Sequence, residues 1–196
     1  MPDILVAMGA SQGGVLALRK VISGLPGDFP AAILIVQHIG PEESELPSLL
    51  TEVGNLAATH AQNGERIRAG HIHVAPPNRH MIVADGRVEL SRGPRENWAR
   101  PAIDPLFRSA AEAYGKCAIG VLLTGQLNDG TAGLYEIKRR GGTTIVQDPS
   151  EAEASSMPRS ALDNVAIDFC LPLSRIGEKI NYLARSKERD WVTSGP

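Results

Sequence analysis

The hydrophobic pattern alternates between short apolar runs and amphipathic stretches along most of the chain. Residues 4–8, 31–36 and 118–123 are almost continuously apolar, as strands covered on both faces are. Between the first two runs, four apolar residues fall on one face of a predicted helix: Val15, Leu18, Ile22 and Leu25. This alternation of strands and helices predicts an α/β fold built on a largely parallel sheet.

The other predicted elements complete this order, and only the middle of the chain differs. Helices are predicted at 46–53, 104–114, 131–140, 157–163 and 173–185, and strands at 143–146 and 166–171. In the middle, short runs at 71–75, 81–84 and 87–90, with Asp85-Gly86 between the last two, predict an antiparallel hairpin. The predicted fold class is therefore α/β: a doubly wound, mostly parallel sheet with helices on both faces and an antiparallel hairpin extension.

Composition limits the kind of protein. The 196 residues predict one domain over residues 1–186 and a polar tail at 187–196, for which we expect disorder. A net charge of -2 and an aromatic content of 4% argue against nucleic-acid binding. No signal peptide or membrane-spanning stretch is evident, so we expect a cytoplasmic protein without membrane insertion. Cys117 and Cys170 lie in apolar runs, where we expect small buried side chains.

Three predicted strands end in side chains that can do chemistry. The first runs into a glycine-flanked turn carrying Ser11, the second ends at His38, and the third leads to Asp129. Open α/β sheets bind ligands beyond the carboxyl ends of their strands, so we expect the three side chains at one rim. Serine, histidine and aspartate together form the set needed for base-assisted nucleophilic attack.

Each of the three residues also has a structural interpretation. Ser11 could cap a helix or bind a phosphate through its loop, and His38 could be a partly buried loop histidine. Asp129 precedes Gly130 and a helix, where an N-cap is an ordinary role. The convergence of all three at one rim favours the catalytic interpretation over three independent structural ones.

A phosphate-binding loop is the competing interpretation of the glycine-rich turn. A dinucleotide site needs Gly-x-Gly-x-x-Gly and an acidic residue near the end of the second strand. Here the second glycine position is Ser11, and the second strand ends in Gln37-His38 without a carboxylate. The Gly-Lys-Ser/Thr of a Walker loop is also missing, so the phosphate interpretation is weak.

Six ordered motifs resemble the catalytic domain of CheB-type chemotaxis protein-glutamate methylesterases. They are Gly9-Ala10-Ser11-Gln12-Gly13-Gly14, Val36-Gln37-His38, Ala69-Gly70-His71-Ile72-His73-Val74-Ala75-Pro76-Pro77, Arg100-Pro101-Ala102-Ile103-Asp104-Pro105-Leu106-Phe107-Arg108-Ser109-Ala110-Ala111, Leu123-Thr124-Gly125-Gln126-Leu127-Asn128-Asp129-Gly130 and Met157-Pro158-Arg159. The resemblance covers roughly residues 3 to 185.

This resemblance implies an activity and roles for particular residues. The expected reaction is hydrolysis of γ-glutamyl methyl esters on the cytoplasmic helices of chemoreceptors, with glutamine deamidation as a second activity. Ser11 would be the nucleophile, His38 the general base and Asp129 the orienting acid. The family's backbone oxyanion donor would fall on Gln126, with a second donor in the Ser11 turn at Gln12. No cofactor and no metal are implied.

The sequence also departs from the family's pattern around this site. Gln12 replaces the usual threonine, and Gln126-Leu127 replaces Met-Gly. The receiver domain of typical members is not in the sequence, so we expect control, if any, from a separate response regulator. Two alternatives stay open: a catalytically weak receptor- or regulator-binding module of this fold, and an esterase or amidase outside chemotaxis.

Other polar residues have weaker functional interpretations. His71 and His73 fall on one face of a predicted strand, a spacing that metals can use. We expect no metal there, because no cysteine or carboxylate cluster accompanies them in the sequence. Arg100 and Arg108 could hold an acidic receptor surface, and a solvated or ion-pairing role is equally compatible with the pattern.

Overall fold

The computed structural model of the chain describes residues 3–40, 42 and 44–194. The strands are β1 (Leu5–Ala10), β2 (Ala32–Gln37), β3 (Ala57–His60), β4 (His71–Val74), β5 (His80–Ala84), β6 (Arg87–Ser91), β7 (Ala118–Leu122), β8 (Thr143–Gln147) and β9 (Phe169–Leu171). The α-helices are α1 (Gly14–Ser23), α2 (Leu46–Val53), α3 (Ile103–Tyr114), α4 (Thr131–Arg139), α5 (Ser156–Asn164) and α6 (Leu173–Ser194). Seven strands form a parallel sheet in the order β3-β4-β2-β1-β7-β8-β9, and β5 and β6 form a separate antiparallel pair.

The central strands send alternate side chains into two cores. Val6 and Met8 of β1 pack with α1, α2 and α6 on one face of the sheet. Leu5 and Ala7 pack with α3, α4, α5 and the β5–β6 hairpin on the other. Both faces are therefore covered, which is why these strands are continuously apolar in sequence. The predicted doubly wound fold class is confirmed.

The middle of the chain differs from the prediction in two respects. Strand β4 joins the main sheet in parallel with β2, and β3, which was not predicted, pairs with β4 at the sheet edge. The predicted hairpin forms, but it is a sheet of its own that packs on α3 and does not extend the main sheet. Strand β3 carries the weak pattern Ala-Ala-Thr-His because its side chains are only half-buried at the edge.

The carboxyl-terminal elements also differ in detail. Helix α6 runs to Ser194, beyond the end predicted at Arg185, and so includes residues 187–194 of the predicted polar tail. Residues 186–194 contain no glycine or proline, and several are good helix formers. Gly195 and Pro196, the rest of the predicted tail, lie outside the described residues. Cys170 is exposed rather than buried, because it lies on the edge strand β9.

The strand order places three strand ends side by side. The chain leaves β1 towards β2 on one side of the sheet and later returns to β7 on the other side. Strand β1 thus lies at a topological switch point, the place where open α/β sheets form ligand sites. Among the described helices, none combines the length and apolarity that crossing a membrane requires.

Helices α3 and α4 approach each other closely at a glycine. A Cβ atom on Gly133 would lie 2.3 Å from the Cβ of Phe107 and 3.2 Å from Oδ1 of Asp104. The missing side chain therefore fixes the distance between α4 and α3, and with it the placement of the α3 amino terminus.

Gly133→Ala is expected to lower the free energy of unfolding by about 2 kcal/mol, because the new methyl group forces the two helices apart. Urea denaturation of the variant and the parent protein measures the difference. Gly27→Ala is the control, since its Cβ would meet nothing closer than 3.5 Å. Equal losses in the two variants would contradict the close-packing account.

Candidate active site

The turn after β1 holds Ser11 against the neighbouring strand end. The backbone N–H of Ser11 donates to the carbonyl of Thr124 at 2.9 Å, which continues the β1–β7 ladder past the strands. Gly13 then has a φ of 74°, a left-handed conformation that suits glycine, and α1 begins at the next residue. The serine side chain is therefore carried on a sharp strand-to-helix turn, as the glycine pattern predicts.

The end of β2 is tied to the same turn. The N–H of His38 donates to the carbonyl of Ala10 at 3.0 Å. The buried amide of Gln37 donates to the carbonyls of Ser11 at 2.7 Å and His38 at 3.0 Å. Gln37 thus joins the serine turn and the histidine turn, so that the two side chains hold a fixed separation.

Ser11, His38 and Asp129 form a hydrogen-bonded chain. The Oγ atom of Ser11 lies 3.2 Å from Nδ1 of His38, and Nε2 of His38 lies 2.6 Å from Oδ2 of Asp129. The carboxylate can only accept, so Nε2 carries the hydrogen and Nδ1 is free to accept from the serine hydroxyl. The histidine side chain is 19% exposed and the aspartate side chain 2%. Solvent therefore reaches the serine side of this chain and hardly reaches its carboxylate.

Asp129 caps a helix, but not the one that the sequence suggested. Helix α4 begins after Gly130 without a side-chain cap. The Asp129 carboxylate instead accepts the N–H groups of Ile103 at 2.7 Å and Asp104 at 3.0 Å, at the amino terminus of α3. Burial alone would raise the pKa of Asp129, and the hydrogen bonds from His38 and the α3 backbone outweigh it, so its pKa lies below the ordinary value.

Asn97 connects Asp129 to a second buried carboxylate. Its side-chain amide donates to Oδ1 of Asp129 at 2.7 Å and to Oδ2 of Asp104 at 2.8 Å. Asp104 also accepts the N–H of Gly133 at 2.7 Å. Burial, together with the charge of Asp129, raises the pKa of Asp104, although these donors partly offset the rise. Two carboxylates are thus held close together by an amide that satisfies both.

Two backbone donors near the serine in sequence or in the structure have no hydrogen bond to protein in the part of the chain that is described. They are the N–H groups of Gln12 and Gln126. The side chains of these glutamines bond to each other, Nε2 of Gln126 donating to Oε1 of Gln12 at 2.7 Å. The structure therefore brings the two glutamines together beside Ser11, with both main-chain donors available.

Leu127 occupies a conformation that suits glycine. Its φ is 64° and its side chain is 61% exposed. Its N–H donates to Oγ of Ser156, which holds the loop against α5. The backbone of Leu127 is therefore strained, and its exposed side chain forms few packing contacts that could offset the strain.

A cleft of about 400 Å³ opens beside His38. Besides His38, it is lined by residues after β2, by Asn78 and by the segment that follows β6: Ile39, Gly40, Asn78, Arg95, Asn97, Trp98, Ala99 and Arg100. The guanidinium of Arg100 is used structurally, because it donates to the side-chain oxygen of Asn78 and to the carbonyls of Arg92 and Gly93. Arg108 forms an ion pair with Glu96 at 2.7 Å. Neither arginine needs an acidic partner protein to be satisfied.

No metal-binding cluster is found in the described part of the chain. His71 and His73 do share a face, with ring centroids 4.7 Å apart. His73 bonds to Glu65 at 2.7 Å, and His71 bonds to Thr59 at 2.9 Å. Burial lowers the pKa of both histidines. Each imidazole therefore has a hydrogen-bond partner in a nearby side chain.

Sequence reasoning missed the residues that support the Ser11–His38–Asp129 chain. Asn97 lies in a segment that the pattern identifies only as an irregular polar loop. Its φ is 48°, a left-handed conformation that asparagine tolerates better than most residues. The presence of an asparagine in this loop is therefore the one local signal that the sequence offers. The pattern predicts that this helix begins at Asp104, but α3 begins one residue earlier, and the N–H groups at its start donate to Asp129.

Comparison with known proteins identifies similar sequences over most of the chain. The family model described as CheB methylesterase matches residues 6–180. A Leptospira interrogans relative is 41% identical over 175 residues, which cover 88% of this chain and 91% of the relative. An Anaeromyxobacter dehalogenans relative, named protein-glutamate methylesterase/protein-glutamine glutaminase 2, is 41% identical over 92% of this chain, and the chain spans 53% of its length.

A solved structure agrees with these sequence matches. The fold resembles the crystal structure of the Thermotoga maritima CheB methylesterase catalytic domain, with a TM-score of 0.88 and 34% identity. The match covers 92% of this chain and 98% of that one. The parallel sheet, its surrounding helices and the separate hairpin are thus shared with a relative of determined structure.

Leu127→Gly is expected to raise the free energy of unfolding by about 1 kcal/mol, because glycine adopts the left-handed conformation without the Cβ penalty. Chemical denaturation measures the change. Leu16→Gly is the matched control: Leu16 is 67% exposed but lies inside α1, where glycine costs about 1 kcal/mol of stability. A destabilised Leu127→Gly protein would show that the leucine side chain contributes packing.

Proposed function

The chain belongs to the CheB methylesterase family, and from this premise we propose that it is a serine esterase that removes methyl esters from glutamate side chains of chemoreceptors. The relatives from Anaeromyxobacter dehalogenans and Photorhabdus laumondii carry the name of this activity, and the chain spans about half the length of each. The proposal therefore concerns the reaction that this domain performs. Its substrate would be the methylated cytoplasmic helices of the receptors.

The observation that carries the proposal is the hydrogen-bonded chain from Ser11 through His38 to Asp129. Its two distances, 3.2 Å and 2.6 Å, suit proton transfer from the hydroxyl to the imidazole and fixation of the imidazole by the carboxylate. His38, the middle member of this chain, lines the cleft described above. We assign the nucleophile to Ser11, the general base to His38 and the orienting acid to Asp129.

Acylation begins when Oγ of Ser11 attacks the ester carbonyl. Nδ1 of His38 takes the hydroxyl proton, and Asp129 stabilises the resulting imidazolium through Nε2. The tetrahedral intermediate then collapses. Its C–O bond to the methoxy group breaks, and His38 returns the proton to that oxygen so that methanol leaves. The glutamyl group remains on Ser11 as an ester.

Deacylation repeats these proton transfers with water. Nδ1 of His38 takes a proton from the water molecule that attacks the acyl carbonyl, and the bond to Oγ breaks as Ser11 regains a proton. Glutamate is released as a free carboxylate. The reaction uses water as its only co-substrate and needs no cofactor.

The unpartnered N–H groups of Gln12 and Gln126 are the proposed oxyanion donors. Backbone donors aimed at the developing charge stabilise both tetrahedral intermediates, and their effect does not depend on the side chain attached. The replacement of family-typical residues at these two positions is therefore compatible with catalysis. The side-chain hydrogen bond between the two glutamines connects the two turns that carry these donors.

Hydrolysis of a glutamine side chain is a second candidate activity. The relatives named above are also named protein-glutamine glutaminase. The same nucleophile and oxyanion donors would act on the amide carbonyl, with ammonia leaving in place of methanol. His38 would then protonate the leaving nitrogen.

The cellular setting follows from this substrate. Chemoreceptor cytoplasmic helices would place the protein in the cytoplasm, and a separate response regulator is the proposed source of control. A binding module of the same fold and an esterase outside chemotaxis remain the competing proposals. Wild-type methanol release from methylated receptor separates the proposed function from both alternatives, because neither the binding module nor the unrelated esterase would release methanol from this substrate.

Ser11→Ala is expected to abolish nearly all methanol release from a methylated receptor fragment, because no other hydroxyl replaces the nucleophile. The residual rate should not exceed the roughly 10³- to 10⁴-fold enhancement over water that oxyanion donors and binding alone provide. A coupled methanol assay measures it. Ser23→Ala, which removes an exposed hydroxyl at the end of α1, is the control and should keep full activity. Full activity of Ser11→Ala would refute the assignment.

Asn97→Ala is expected to lower the free energy of unfolding by about 1 to 3 kcal/mol at neutral pH, because the buried carboxylate of Asp129 loses one of its donors. A donor of this kind favours the ionised form of Asp129, whose pKa lies below its ordinary value, so the loss should shrink as the pH falls and the carboxyl is protonated. Urea denaturation of Asn97→Ala and the control Asn181→Ala at neutral and acid pH checks the size and the direction. An equal loss at both pH values would contradict the claim that the amide stabilises the charge of Asp129.

A further inference from the structure

The β-turn between Glu96 and Ala99, which follows strand β6, holds two residues in a backbone conformation that is unfavourable for most side chains. Glu96 and Ala99 exchange backbone hydrogen bonds of 3.2 and 2.8 Å, and the two residues between them are both left-handed, with φ of 48° at Asn97 and 63° at Trp98. Turns of this kind favour glycine at the second position. A tryptophan there is strained, and folding alone gives no reason for it.

The strain is not offset by burial. The Trp98 side chain is 87% exposed, which is the largest exposure among the exposed large hydrophobic residues of the described chain. Folding therefore removes little of the indole surface from water. A large apolar side chain that is both strained and exposed beside a catalytic site is typical of a residue that contacts a partner.

The turn is anchored to the catalytic carboxylate. Asn97, the neighbour of Trp98, donates to Asp129 at 2.7 Å, and Glu96 pairs with Arg108 of α3 at 2.7 Å. These contacts fix the backbone that carries the indole. Trp98 is therefore rigidly presented at the mouth of the cleft that contains His38, and binding a partner would not require the turn to be ordered first.

The same cleft presents a cation, Arg95, that has no partner among the residues that the structure describes. Arg95 is exposed, lines the cleft, and forms no hydrogen bond or ion pair within the described residues. In Arg100, in contrast, each of the three guanidinium nitrogens donates to a protein acceptor. A partner that carries a carboxylate near its apolar contact would therefore complement this edge in charge.

We propose that the segment 95–98 is the substrate-recognition element of this site: Trp98 packs on an apolar side chain of a substrate helix, and Arg95 pairs with an acidic side chain next to the reacting glutamate. This proposal rests on the proposed function, since it takes a glutamate-rich protein helix as the partner. Trp98 and Arg95 determine affinity for the protein substrate and take no part in the bond-breaking steps.

The first test compares a protein substrate with a small one. Trp98→Ala is expected to raise KM for a methylated chemoreceptor fragment by about tenfold, as loss of an aromatic anchor does, and to leave kcat within about twofold. The small substrate is N-acetylglutamate γ-methyl ester amide. The kcat/KM for the receptor fragment, divided by the kcat/KM for this small ester, should fall by a similar factor. Tyr182→Ala, which removes another exposed aromatic residue, is the matched control and should change neither value.

Trp98→Gly separates recognition from folding. Glycine relieves the left-handed strain, so this variant should unfold at a higher temperature than the parent while showing the same rise in KM. Arg95→Gln should raise KM by a few-fold at low salt and much less at high salt, because the proposed ion pair is screened. A lower unfolding temperature for Trp98→Gly would contradict the account of the turn.

Fluorescence tests the contact directly. In a Ser11→Ala, Trp191→Phe protein, Trp98 is the only tryptophan, and its emission should shift to the blue when methylated receptor fragment is added. An unmoved emission at fragment concentrations that calorimetry shows to be saturating would overturn the proposal, as would an unchanged KM in Trp98→Ala. The proposed function is tested separately, by methanol release from the wild-type protein and its loss in Ser11→Ala, and neither result depends on Trp98 or Arg95.

Discussion

The buried carboxylate of Asp129 is the group on which the rest of the site depends. An isolated ionised carboxylate at this depth would cost several kcal/mol of folding free energy. Four donors offset that cost: the imidazole of His38, the amide of Asn97, and the first two N–H groups of α3 at Ile103 and Asp104. One charge therefore holds together three separate parts of the chain.

This arrangement explains why fold and site are inseparable. The strand order brings the ends of β2, β1 and β7 together, and Asp129 then fixes α3 and the 96–99 turn against them. Close contact at Gly133 keeps α4 near enough for its backbone to satisfy Asp104. The imidazole that results has one nitrogen committed to the carboxylate and the other directed at Ser11. Packing around one anion thus sets the geometry of the proposed proton transfers.

Sequence reasoning predicted what depends on local pattern and missed what depends on tertiary contact. Continuously apolar strands and glycine-flanked turns identify β1, β2 and β7, and their ends locate Ser11, His38 and Asp129. The edge strand β3 has too weak an apolar pattern to be recognised. The role of Asn97 could not be foreseen either, because its two partners are distant in sequence, and Asp129 caps α3 rather than the adjacent helix.

The tautomer of the His38 imidazole tests this account most directly. If Asp129 fixes the imidazole, ¹⁵N NMR of its uncharged form will find the hydrogen on Nε2 and none on Nδ1. Asp129→Asn should disturb that preference while leaving the backbone fold unchanged. A wild-type imidazole with its hydrogen on Nδ1, or an even mixture of the two tautomers, would contradict the claim that the buried carboxylate organises the site.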